Sequence, residues 1–448
     1  MNRPCVALSA AVLLSFLVQT PATAAVVHVS SASALQSAID SARPGQRVEV
    51  ADGVRLTDQT ITINKPGVTL AAQRTGGVVL TGSSAIKLGK VRHVVVEGFV
   101  FDNNDGMSVP PEAKATRITR NTYTGNKSGA SLSVSADDVQ IDHNLFQNRT
   151  NEGVYLQITG PGSDIAKRSW IHHNFFYNHQ FKGSNGGESI RLGYSHKQSK
   201  SANAIVELNL FEKADGDSEA ISIKSSDNIV RYNTIRDSRG FIVLRHGNRS
   251  VVEGNALFQT GIRFHGNDHK VINNYVENTR DRAIVFGSGS EADSGPTSKE
   301  HDRPDRVTVA FNTVLGTGAV IDSDGGKYLP KDCIVSNNII KGTGTLTDIR
   351  QGSTVKYEGN IVFGGSAGSI PASGYKSVDP KLVRDANGLY HLGAGSPAID
   401  AAQGLYPYVT KDFDPHDRSG KLDVGADEYG GSVSRKALTK ADVGPSAP

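Results

Sequence analysis

His143-Asn144-Leu145-Phe146 is a phrase that the chain repeats: a variable residue, then Asn, then residues that are mostly apolar. The asparagine returns at Asn174, Asn209, Asn233, Asn255, Asn274, Asn312, Asn338 and Asn360, at intervals of 30, 35, 24, 22, 19, 38, 26 and 22 residues. A parallel β-helix advances one coil about every 20–25 residues, so the short intervals are single coils and the long ones are coils with an inserted loop. Asn suits a fixed turn position: it tolerates the left-handed backbone, and its amide can bond to the same residue in the coils above and below. The reading is an all-β chain, a right-handed single-stranded parallel β-helix.

Composition agrees. Glycine is 48 of 448 residues, Val and Ile fill the stretches between glycines, and no long central segment has helical periodicity. A solenoid buries its core coil against coil, so one elongated domain over residues 25–431 is expected despite the length. The formal net charge is +3, which excludes a general nucleic-acid or membrane footprint, and a monomer is expected. Arg3, the apolar run Val6 to Val18 and Pro21-Ala22-Thr23-Ala24-Ala25 read as a secretory signal over residues 1–24, hence a periplasmic or extracellular protein. With Cys5 in that signal, Cys333 has no partner and reads as a core residue. Ser33 is the expected cap of a short helix with Leu35, Ala38, Ile39 and Ala42 on one face, covering the end of the first coil. Successive coils are expected from Thr60 to about Val362, then last coils and closure, and a disordered tail over 432–448.

Chemistry concentrates mid-chain. In Ala220-Ile221-Ser222-Ile223-Lys224, alternation turns Ile221 and Ile223 inward and Lys224 outward. One coil later Phe241-Ile242-Val243-Leu244-Arg245 phases Arg245 outward beside Lys224. Asp217 and Glu219 share the inward parity of Ile221, and unpartnered buried carboxylates are costly, so a bend between Glu219 and Ile221 is expected. Upstream, Asn185-Gly186-Gly187-Glu188-Ser189-Ile190-Arg191 lies one coil plus an insertion away, bringing Asn185 and Glu188 to the same patch. Carboxylates with an amide, and no thiolate, select a hard cation such as calcium.

Asn-Gly-Gly-Glu-Ser-Ile-Arg at 185–191, the acidic-x-acidic segment ending at Lys224, and Leu-Arg-His-Gly at 244–247 resemble polysaccharide lyase family six, the alginate lyases and the related dermatan-cleaving chondroitinase B. The resemblance covers nearly the whole mature chain. It implies Lys224 as catalytic base, Arg245 as acid, and calcium on Asn185, Asp217 and Glu219, with Glu188 nearby. Asp217 departs from the Glu usual at its position. Arg191, His246, Arg263 and His265 are expected to contact an anionic uronic acid polysaccharide, alginate above all, with Arg191 alternatively bracing Glu188.

The reaction follows from the substrate. Removing the C5 proton, α to the carboxylate, and expelling the O4 leaving group breaks the chain without water. A cation on the carboxylate makes that proton more acidic, and a lysine beside positive charge favours its neutral, basic form. Arg245 either protonates the leaving oxygen or stabilises it by charge alone. Other readings are a dermatan or chondroitin-type lyase, a pectinase-like hydrolase using Asp215 and Asp217, and a non-catalytic polysaccharide-binding β-helix.

Overall fold

The structure is a computed structural model that describes residues 25–103, 105–125, 129–292, 295, 297–431 and 435–448. The expected signal, residues 1–24, lies outside the described residues. Three long parallel sheets make the body. The first runs from Val27–Val29 to Val355–Glu358, the second from Arg55–Thr57 to Tyr375–Lys376, and the third from Met107–Val109 to Thr347–Asp348. Each central coil gives one strand to each sheet: Gln140–Asp142, Leu145–Arg149 and Leu156–Ile158 are followed by Trp170–His172, which pairs back onto Gln140–Asp142. This is the parallel β-helix. The coils begin before Thr60 and end after Val362, because paired strands already occur at Val27 and continue to Lys376.

Inward residues stack on their counterparts one coil away. Phe101, Tyr123, Phe146, Phe176 and Phe211 form a column with ring centroids 4.7–4.9 Å apart. That spacing is the strand spacing of a sheet, so each coil completes its core only by burying the ring below it.

The asparagines sit at the corner between the first and second sheets, fully buried. Asn209 N and Nδ2 both donate to Asn233 Oδ1 at 3.0 Å, and Asn233 repeats this on Asn255 at 3.0 Å. The ladder also has a rung at Asn121, which donates its backbone N to Asn144 Oδ1 at 2.9 Å. The left-handed position is the residue before each asparagine, as at His143 (φ 52), Leu208 (φ 54) and Phe311 (φ 55), and not the asparagine itself. The asparagine amide is instead needed inside, where it satisfies corner carbonyls such as Val206 O and Arg231 O.

One α-helix, α1 (Ala32–Ser41), closes the first coils, burying Leu35 and Ile39. Its cap is Ser31, whose Oγ accepts from Ala34 N, and not Ser33. Cys333 is buried as expected, and burial pushes its thiol up to about 12.

The C-terminal segment differs from the expectation of last coils and a disordered tail. After Lys376 the chain leaves the helix, forms the hairpin Leu382–Arg384 with Tyr390–Leu392, and runs back along the asparagine corner as a strap. The residues preceding the asparagines are its docking row. Asn337 O receives Gly425 N at 2.9 Å, Gly254 O receives Arg435 Nη1 at 2.6 Å, His173 O receives Gly444 N at 2.8 Å, and Arg120 Nη1 reaches Ala447 O at 2.7 Å. Leu438 and Val443 are buried against Leu210, so residues 435–448 are packed where the tail was expected to be disordered.

Candidate active site

Lys224 lies at the end of Glu219–Lys224, a strand of the third sheet between Ile190–Gly193 and Phe241–His246. Two register shifts deform it. Glu219 pairs with Phe241 but Ile221 with Ile242, so Ala220 is the extra residue of a bulge. The shift falls where a bend was expected, between Glu219 and Ile221, but Asp217 and Glu219, which that bend was expected to swing outward, are buried. The second shift pairs Ile223 with Leu244 and Lys224 with His246, leaving Arg245 as the extra residue. Arg245 is therefore not opposite Lys224 in the ladder, as strict alternation requires. It bulges out with about a third of its side chain exposed and pairs with Glu219 Oε1.

Glu188 organises the other half of the site. Its Oε1 and Oε2 take Arg191 Nε and Nη2 at 2.8 and 2.5 Å, and Oε1 lies 3.5 Å from Lys224 Nζ. Burial pushes the Glu188 carboxyl up, but the Arg191 and Lys224 charges outweigh it and hold it below its ordinary value. Glu188, expected among the cation's ligands, has both oxygens committed to these cations. Arg191 thus braces Glu188, while 19% of its side chain remains open to the groove. The Lys224 ammonium is disfavoured chiefly by burial, with Arg191 and Arg245 adding to the effect against the pull of Glu188 and Glu219, so its pKa falls below the ordinary lysine value.

Asp217 and Glu219 are 3% and 4% exposed, yet they carry unused acceptor capacity. Glu219 Oε2 is buried with no hydrogen-bond partner among the described residues, and Asp217 Oδ2 receives only a long 3.5 Å contact from Gly187 N. One orphaned and one under-satisfied carboxylate oxygen, on residues two apart in the chain, suit a hard cation. Asn185 is exposed and lines the groove beside Gly186. Its loop lies close because residue 187 is glycine: a Cβ there would come within 2.3 Å of Gly216 O. Asp215 is engaged within its own turn, accepting from Arg239 N at 2.9 Å and Gln180 Nε2 at 3.2 Å, which does not suit a hydrolytic pair with Asp217.

Histidines form one flank. His246 and His265 each stack on His301, with ring centroids 4.7 and 4.5 Å apart. His265 is 2% exposed and lies beneath His301, so it supports the flank and does not offer a direct substrate contact. His246 is 5% exposed, its Nδ1 donating to Glu300 O at 3.1 Å. Burial and the neighbouring His301, Arg245 and Lys224 charges lower His246 to about 3, and burial with Arg245 and Arg263 lowers His301 to about 4, so both rings are neutral at pH 7. His301 is the site residue that sequence reasoning missed. It comes from the insertion between residues 287 and 306, and nothing in its own neighbourhood signals that this loop folds back over the preceding coils. The loop also meets the one after Gly193, through Gln198 Nε2 to Ser298 O at 2.8 Å.

A groove of about 820 Å³ opens from Arg191 toward the N-terminal coils, lined among others by Ser108, Ser133, Gln157, Asn185 and Tyr194. Arg263, on the other side of Arg245, is directed to Asp324 at 2.5 Å.

The comparisons with known proteins agree with this geometry. The PL6 family alginate lyase AlyGC is 26% identical, with 83% of this chain and 56% of that chain covered and a TM-score of 0.70. This chain therefore spans little more than half the length of AlyGC. A mannuronic acid specific polysaccharide family 6 lyase from human gut microbiota is 23% identical over 79% of this chain and 91% of that chain, with a TM-score of 0.69. A PL6 alginate lyase solved with a trisaccharide is 20% identical over 96% of both chains, with a TM-score of 0.68. The last two likenesses show the fold. A search of curated proteins gives no match. The family model described as Chondroitinase B matches residues 29–338, well over half of the chain, and the chain accordingly belongs to the chondroitinase B family, polysaccharide lyase family six.

Proposed function

We propose that this protein is an exported lyase that cleaves alginate by β-elimination, leaving an unsaturated uronate at the new non-reducing end. The observation that carries the reading is Lys224: a lysine with 12% of its side chain exposed and its charged form disfavoured, with Arg245, Glu188 and the groove-lining Arg191 around it. Lys224 Nζ takes the C5 proton as a neutral amine. Arg245 stands beside the leaving O4 and offsets its developing charge or donates a proton to it. Arg191, fixed by Glu188, and Arg263 orient neighbouring carboxylates, and His246 with His301 excludes water from one side. Asn185, Asp217 and Glu219 would hold calcium, which supplies positive charge at the reacting sugar's carboxylate and so acidifies its C5 proton. Export rests on the leader-like composition of residues 1–24.

Alginate is preferred because two of the structurally similar lyases are described as alginate lyases and the third as mannuronic acid specific. The family model's own description favours a second reading, dermatan. Parallel incubation with polymannuronate, polyguluronate and dermatan sulfate, followed by ultraviolet absorbance of the new conjugated double bond, separates the two. Signal on the alginates alone supports the proposal; signal on dermatan alone replaces it.

A further inference from the structure

The outward face of the third sheet, which lines the groove as far as Arg191, changes sign along its length. Outward positions of the third sheet stack in register, so each coil presents one rung. The first rungs are neutral: Ser108, Ser133 and Gln157. The next rungs in register are Arg191, Ser222, Val243 and Arg263, with Lys224 and Arg245 two residues further along the strands that carry Ser222 and Val243, so four cationic side chains fall on four successive coils. Beyond Val285 the rungs become Asp322 and Asp348. Where the sign changes, ion pairs cross the groove. Arg263 Nη2 meets Asp324 Oδ2 at 2.5 Å, and Arg282, on the turn that enters the strand Ile284–Phe286, meets Asp324 Oδ1 at 2.5 Å and Asp322 Oδ2 at 3.3 Å. Behind this bar the field is negative enough that burial, together with Asp324, Asp348 and Asp281, raises the Asp322 carboxyl to about 6 against the pull of Arg282.

A polyuronate laid along the helix axis brings roughly one carboxylate per coil, since coils are spaced by about 4.8 Å. Such a chain is attracted over the four cationic positions and repelled by the two acidic rungs beyond them. Resting on the reading of the site as a uronan lyase, we propose that the Arg263–Asp324–Arg282–Asp322 bar and the acidic floor behind it are a stop for the substrate: a chain end seats against the bar, and the enzyme works inward from that end. Two coils, those of Arg263 and Val285, separate Arg245 from the Asp322 rung, room for about two sugar residues at one per coil. The open, neutral groove on the other side holds the continuing polymer.

The test uses the full chain on long alginate, following double-bond absorbance, viscosity and product masses together. The wild type is expected to release products of about one or two sugars from the start, while viscosity falls late. Asp348→Lys, at an exposed position, and Asp322→Asn weaken the stop; in each, longer early products are expected, with viscosity halving at a several-fold lower extent of cleavage. High salt moves the wild type in the same direction, because the barrier is electrostatic. Rapid viscosity loss in the wild type, with a product spectrum that neither substitution nor salt alters, overturns the stop while leaving the lyase standing. Absence of any double bond on every uronan overturns the lyase reading and this proposal with it.

Discussion

Lys224 illustrates how a residue of outward parity comes to have its charged form disfavoured. Its outward position follows from period-two alternation, but its lowered pKa comes from burial under neighbours that arrive from other coils. Turnover should therefore rise with pH through a Lys224 pKa below 10.5, because only the neutral amine accepts the C5 proton. Glu188 favours the ammonium, so Glu188→Gln removes a stabiliser of the charged form and should move that rise to lower pH; a pH–kcat profile of the variant that moves to higher pH contradicts the assignment. Lys224→Ala should lower kcat by about 10²–10⁴-fold with substrate affinity largely kept. Chelation of divalent ions should cost activity that calcium restores, and Asp217→Asn should raise the calcium concentration needed for half-maximal rate. That Arg191, Glu188 and Lys224 meet in one patch was within reach of the sequence. Arg245's bulge was not, because alternation presupposes an unbroken register and that register shifts by one residue between Ile223 and Lys224.

Among elements, the strap was the least legible. Its stretches are short, rich in Pro and Gly, and lack periodicity, so they look like tail in a reading built on repeats. What holds it is apolar packing on the coils, as of Leu438 and Val443 on Leu210 and of Tyr406 and Val409 on Phe311, with polar contact to the corner row and a cluster at His391. That ring faces Asp414 at 3.2 Å, Asp427 at 3.3 Å and Asp385 at 3.3 Å. Burial alone would lower its pKa, but Asp414 and Asp427 raise it to about 10. A raised folded-state value means that the stabilisation is complete below the ordinary pKa of 6.5 and is lost as pH climbs toward 10. Hydrogen exchange across residues 382–430 should therefore accelerate between neutral pH and pH 10 beyond its intrinsic base dependence, and His391→Ala should be fast already at neutral pH. The histidine flank teaches the same lesson about loops: His301 is placed by the path of an insertion, which no local pattern encodes.

At the scale of the molecule the asparagine ladder sets the axis on which everything else is registered. Its spacing was readable because each rung needs the same amide at the same corner. The Asn121 rung hid behind Arg120 and Thr122, where the phrase loses its apolar character. Asn233→Ala would strand the donors of Asn209 and the carbonyls of Val206 and Arg231, so a loss of about 3–5 kcal/mol in unfolding free energy is expected from denaturant titration. Such an axis puts Arg191, Lys224, Arg245 and Arg263 on four successive coils, the arrangement on which the proposed elimination depends. The most direct measurement counts conjugated double bonds against new reducing ends as alginate is cut. Elimination through Lys224 predicts one double bond per new reducing end in the wild type and neither in Lys224→Ala; new reducing ends without double bonds would mean hydrolysis and would contradict the account.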